Sequence, residues 1–139
     1  MTMRALLAGL FAAAFLAACE GDETGPSGHA PVAGARLYRA SNSVQLTPDV
    51  VLDAGDTLRV EVRFVDSTGT VIHGLEDGHY TKLVFAPDTL AEADSVPGMP
   101  FFRDLAVSAA TGSGTLSIGY GHQPTADQLT FGPFTVTVQ

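Results

Sequence analysis

From Val32 onward, apolar and polar residues alternate with a period of two. Leu58, Val60, Val62 and Phe64 fall on one face, and Arg59, Glu61 and Arg63 fall between them. Such alternation buries one side of a strand and leaves the other in water. Leu116, Ile118 and Tyr120 repeat it against Ser117 and Gly119, and Phe134, Val136 and Val138 against Thr135 and Thr137. Leu83 and Phe85 share a face against Lys82 and Val84, and Leu105 and Val107 share one within 101–109. Ala35 to Arg39 and Val50 to Leu52 are shorter candidates. Turn-forming runs separate them: Asp53-Ala54-Gly55-Asp56, Asp66-Ser67-Thr68-Gly69, Pro97-Gly98-Met99-Pro100 and Thr111-Gly112-Ser113-Gly114. No segment of this region sustains a helical period. About seven short strands joined by turns predict an all-β domain, an antiparallel two-sheet β-sandwich over 32–139. A small barrel is the alternative.

The first 31 residues follow another pattern. Arg4 precedes an apolar run from Ala5 to Ala18, and the run ends on Leu16-Ala17-Ala18-Cys19, which holds the only cysteine of the chain. A charged start, an apolar middle and a small-residue cleavage site make a secretory signal peptide. The run is shorter than the roughly 20 residues a spanning helix needs, and it is rich in Ala rather than Leu and Ile. Leu16 to Cys19 resembles the lipobox of bacterial lipoproteins, Leu-small-small-Cys. The resemblance implies cleavage before Cys19, diacylglycerol on its sulfur and a third, palmitate-type acyl chain on the new amino group. One chain binds a membrane reversibly, whereas two or three anchor stably. Glu20 is not the Asp that the best-known sorting rule reads as inner-membrane retention, which favours the outer membrane. Residues 20–31 are Gly-, Pro- and acid-rich, include His29, and carry no large apolar side chain. A flexible tether is expected there. The expected organisation is a signal peptide over 1–18, a lipidated Cys19 with its tether over 19–31, and the β domain over 32–139.

Charge narrows the partners. The chain carries a formal charge of −8. Loss of residues 1–18 removes Arg4 and no acid, so the remainder is more acidic still. A chain of that sign, with no basic patch, is repelled by phosphate backbones, which excludes nucleic acid as a partner. It also stands off an anionic membrane surface rather than lying on it. With Cys19 acylated no thiol remains, so disulfide, thiolate-metal and redox roles are closed.

Three stretches carry a second resemblance. They are Val51-Leu52-Asp53-Ala54-Gly55-Asp56-Thr57-Leu58, then 60–69 with its Asp66-Ser67-Thr68-Gly69 turn, then Gly112-Ser113-Gly114-Thr115-Leu116-Ser117-Ile118. Together they resemble bacterial Ig-like domains, the modules of adhesins and surface proteins. The resemblance spans most of 44–139. It implies an Ig-like sandwich and a binding or structural role. The chain lacks the Cys pair and core Trp of antibody-type domains, and it has no Trp at all.

Candidate chemistry is confined to His73-Gly74-Leu75-Glu76-Asp77-Gly78-His79 and to His122 with Asp127. If 70–73 and 79–85 pair as a hairpin, His73 and His79 oppose one another about 4.5–5.5 Å apart. If instead 79–86 is the third strand, the loops 67–78 and 121–132 share one end of a sandwich, where His73, His79 and His122 can converge. Imidazoles with Glu76, Asp77 or Asp127 suit Zn or Cu(II). A His–Asp pair such as His122 with Asp127 has no defined nucleophile beside it, which argues against a hydrolase. Gly112-Ser113-Gly114 lacks the frame of a nucleophile elbow and reads as a hairpin turn. The expectation is a lipid-anchored, non-enzymatic module of a bacterial cell envelope, on its periplasmic or outer face. It would meet a protein or glycan at its end loops or edge strands, with a loop-histidine metal site as the alternative.

Overall fold

In the computed structural model, which describes residues 31–122 and 126–139, the alternating segments form strands. The first five are β1 (Gly34–Arg39), β2 (Val44–Gln45), β3 (Asp49–Leu52), β4 (Thr57–Val65) and β5 (His79–Ala86). A 3₁₀ turn at Asp88–Leu90 leads into β6 (Ala91–Val96), β7 (Met99–Val107), β8 (Gly112–His122) and β9 (Leu129–Val138). The lipobox stretch and the tether through Ala30 lie outside the described residues. Among the described residues no helix is long and apolar enough to cross a membrane.

The strands form two sheets, ordered β2-β1-β4-β7-β6 and β3-β9-β8-β5. Setting aside β2 and β3, four strands in the order β1-β4-β7-β6 face three in the order β9-β8-β5. That is the ABED-over-CFG arrangement of an Ig-like sandwich. The barrel alternative is not formed. Strand parity sets the core. Leu37, Val60 and Leu105 of one sheet meet Leu52, Leu116, Ile118 and Val136 of the other, all fully buried. Each such side chain contributes roughly 1.5–3 kcal/mol over its exposed state.

Three details differ from the sequence expectation. There are nine strands among the described residues rather than about seven. β2 has two residues, and β6, Ala91-Glu92-Ala93-Asp94-Ser95-Val96, alternates only small alanines against Glu92 and Asp94 over four residues. Pairing with β7 holds β6 as an edge strand. Second, the sandwich is not wholly antiparallel: β3 runs parallel to β9, because the chain leaves the first sheet after β2 and joins the margin of the second. Third, Gly112-Ser113-Gly114 is not a turn but the start of β8. The connection is 108–111, where the Ser108 hydroxyl oxygen accepts the Ala110 N–H at 3.1 Å. A Cβ at Gly114 would stand 2.2 Å from the Ala86 carbonyl oxygen and 2.6 Å from Leu90, so glycine there permits close approach rather than a bend.

Candidate functional site

Among the described residues β5 sits at the margin of its sheet and pairs only with β8, in a register that sets His79 opposite His122. The hairpin between 70–73 and 79–85 does not form. Val71 makes one bridge back to Val65, and the Ile72 N–H donates to the Phe64 carbonyl at 2.9 Å. The pair that meets is therefore His79 with His122, and not His73 with His79. The connection after β4 and the one after β8 share an end of the sandwich, as the second sequence alternative requires.

Parity turns both rings toward the inner side of their sheet, in line with Tyr120 and the core. Phe101 and Phe64 lie 5.2 Å apart edge to face, and Phe64 and Tyr120 lie 4.6 Å apart. Tyr120 stacks on His79 at 5.1 Å, and His79 on His122 at 4.9 Å. A column of rings thus runs from the buried core to the exposed end of the domain. The Nδ1 of His79 lies 3.0 Å from the Leu75 carbonyl oxygen, and that of His122 lies 3.2 Å from the Gly78 carbonyl oxygen. A carbonyl only accepts, so Nδ1 carries the proton on both rings. Those bonds fix the two rings against the loop Leu75–Gly78.

The other predicted residues do not join them. His73, Glu76 and Asp77 are exposed in the connection between β4 and β5. Asp127 is also exposed, and it lines a groove on the flank of the sandwich. Among the described residues, no group of three or more His, Cys, Asp or Glu side chains is placed to hold a metal ion. The Nδ1 of His122 is turned to the Gly78 carbonyl.

The most elaborate polar arrangement lies on the flank where β5 and β6 end their sheets. Arg103 of β7 is 2% exposed. It takes the inward parity of Phe101, Leu105 and Val107, and so projects between the layers. It donates to the carbonyl oxygens of Pro100 (3.2 Å), Phe102 and, across the sandwich, Thr81 of β5. Its guanidinium lies 4.2 Å from the centre of the Tyr80 ring. The Tyr80 hydroxyl reaches β6 and shares a hydrogen bond of 2.5 Å with Ser95. Thr81 is itself buried, and its hydroxyl donates to the Gly119 carbonyl at 2.8 Å. Burial pulls the Arg103 pKa down from its ordinary value, and the phenol group of Tyr80 works in the other direction.

The Tyr80–Ser95 bridge divides this flank into two depressions that share both residues. One, of about 520 Å³, is lined by Thr81, Lys82, Ala93, Arg103 and Asp127. The other, of about 510 Å³, is lined by Glu76, His79 and the β6–β7 turn from Val96 to Pro100. That turn is exposed at Pro97, Gly98 and Met99, whereas Phe101 is buried. Glu76, His79 and Asp127 of this flank stand among the candidates read from the sequence, whereas Arg103 does not. One signal was present: Phe101, Arg103, Leu105 and Val107 share a strand face, and a cation on an apolar face needs an explanation.

No family model matches the chain, and no curated protein matches it. Among solved structures, FdeC, a broadly conserved adhesin of Escherichia coli described as eliciting protection against urinary tract infections, shares 17% identity. The match covers 78% of this chain and 32% of that one, with a TM-score of 0.39. A likeness of that degree carries no argument about function, and the Ig-like assignment rests on the sheet order and register above.

Proposed function

We propose that this chain is a lipid-anchored module of a bacterial cell envelope that engages a partner through the β5/β6 flank of its sandwich and catalyses nothing. The observation that carries the reading is the flank itself. A buried cation, a Tyr–Ser bridge and a groove converge where two sheets end in strands whose outer backbone edges have no ladder partner among the described residues. Edge strands recruit extended segments by adding a strand, and grooves beside them supply side-chain selectivity. Leu16-Ala17-Ala18-Cys19 supplies the anchor and the acidic tether the stand-off. Glu20 in place of Asp after the lipidated cysteine favours the outer membrane.

Intact-mass measurement of the membrane-extracted protein tests the anchor. Loss of 1–18 and acyl mass on Cys19 is expected; a full-length chain with unmodified Cys19 refutes it. Affinity capture from native membranes tests the flank. A partner recovered with the wild type and lost with Ser95→Trp, which fills the groove from an exposed position, supports the reading; equal recovery with both contradicts it.

A second reading, a Zn or Cu(II) site, is favoured by one observation. Both His79 and His122 commit Nδ1 to backbone carbonyls, as metal-bound histidines commonly do. Calorimetric titration of Zn²⁺ and Cu²⁺ into the full chain and a His79→Ala/His122→Ala variant decides it. No binding tighter than about 100 μM, or binding unchanged in the variant, refutes the site.

A further inference from the structure

We infer that Arg103 forms the floor of a carboxylate-binding subsite, and that the β5/β6 groove receives an acidic side chain from an extended peptide. The inference rests on the partner-binding reading of the same flank and names the chemistry it selects.

A buried charge is almost always paired. Among the described residues the ion pairs are Arg39–Asp56, Arg59–Asp104 and Arg63–Glu61, and Arg103 takes part in none. Among the described residues its polar partners are three carbonyl oxygens and one ring face. Carbonyl dipoles and a ring face offset part of the desolvation of a guanidinium, but they bring no net negative charge. Three of the five N–H donors are accounted for. Arg103 nevertheless lines the groove of about 520 Å³, which sets a buried cation beside a space that a ligand can enter.

The surroundings fit a carboxylate. Lys82 adds a second cation to the wall, and Thr81, Tyr80 and Ser95 add polar atoms. Asp127 stands on the same wall and opposes an anion, which favours one carboxylate over a multiply charged group. The local balance is still positive in a chain whose formal charge is −8. The groove thus attracts what the rest of the surface repels. Guanidinium is also the cation best matched to a planar carboxylate, through two parallel N–H donors.

The shape favours a peptide. β5 is an edge strand of eight residues flanking the groove. A segment added along β5 points alternate side chains toward β6, and one of them meets the groove above Arg103. An acidic residue at that position reaches the guanidinium, and apolar residues two places away, on the same strand face, meet Val96 and Met99 in the adjoining depression.

The test uses the full chain extracted from membranes in detergent and two dye-labelled probes, acetyl-Val-Thr-Glu-Thr-Val-amide and its Gln counterpart. Fluorescence anisotropy reads both affinities. The Glu probe should bind about tenfold or more tightly than the Gln probe, as expected for one charge-assisted interaction. Arg103→Met should erase that preference, Arg103→Lys should keep part of it, and Ser95→Trp should weaken both probes. The comparison on the wild type requires no variant, so a folding defect in Arg103→Met leaves the test intact. Equal binding of the probes, or a preference that survives Arg103→Met, overturns the carboxylate subsite. Glucuronate competing as well as the Glu probe overturns the peptide assignment. If membrane capture still depends on Ser95 while the probes do not discriminate, the subsite fails and the partner-binding reading stands. If both fail, so does the flank as a binding face.

Discussion

Replacing Tyr120 by Phe should stabilise the domain. Tyr120 is 4% exposed, and its ring packs against Phe64 at 4.6 Å and His79 at 5.1 Å. Its hydroxyl oxygen is the buried side-chain polar atom that has no hydrogen-bond partner among the described residues. Burial pushes the pKa of that hydroxyl up. An unpaired buried polar group costs about 1–3 kcal/mol. Phe keeps the ring, its contacts and nearly all its volume, so little is lost against that gain. The expected change is a gain of about 1–2 kcal/mol, the lower half of the range, since relaxation recovers part of the cost in the wild type. For a domain of roughly a hundred residues, each kcal/mol raises Tm by about 4–8 °C. Urea unfolding followed by circular dichroism gives the free energy directly. The midpoint should rise with the slope unchanged, which marks a stability change without a change in exposed surface. Tyr38→Phe serves as the control. The Tyr38 hydroxyl donates to Gln45 Oε1 at 3.2 Å, so its removal should bring no gain. A loss of about 1 kcal/mol or more in Tyr120→Phe would show that the hydroxyl is satisfied and refute the reasoning.

Other perturbations test the frame around the site. Gly119→Ala places a Cβ 2.5 Å from the Ala126 carbonyl oxygen. It should cost about 1–3 kcal/mol in chemical unfolding and raise proteolysis of the 123–128 connection, because backbone must shift. Thr81→Val removes the donor to the Gly119 carbonyl within a fully buried position and should cost about 1 kcal/mol by the same assay. Asp66 is held below the ordinary carboxylate range, first by the Thr68 hydroxyl and then by the backbone N–H groups of Thr70, Thr68 and Gly69. A lowered carboxyl pKa contributes stability that is complete above the unfolded value and is lost as the pH falls through the folded one. The gap between the wild type and Asp66→Asn should therefore be full near neutrality and close as the pH drops below about 4. A gap that is constant with pH would refute the assignment.

What could be read from the sequence depended on how directly each element shows its environment. β4 carries unbroken alternation because both its neighbours and the opposite sheet act on it, and Leu58 to Phe64 gave its inward face directly. β6 could not be read, since an edge strand with one partner and mostly exposed side chains needs no apolar period. The glycines of β8 misled for a definite reason. Gly112 and Gly114 look like a turn in composition but answer to Leu90 and the Ala86 carbonyl, atoms far away in sequence. The histidine loop was half legible. Two registers were open, and only the pairing of β5 with β8 selects His122 over His73 as the neighbour of His79. Arg103 was the largest omission. Its inward parity was visible within the run from Phe101 to Val107, whereas the carbonyls of Pro100 and Thr81 that hold it are not.

The central claim is that the anchored domain meets its partner through the β5/β6 flank. Photo-crosslinking in living cells tests it most directly, with the reactive side chain installed at Ala93 in the groove or at Val51 on the β3 margin. Val51 is 46% exposed and lies in the strand at the far margin of the second sheet from β5. The account predicts a discrete crosslinked species from Ala93 that disappears with Arg103→Met and is absent from Val51. Crosslinks of equal yield from both positions, or from Val51 alone, would contradict it.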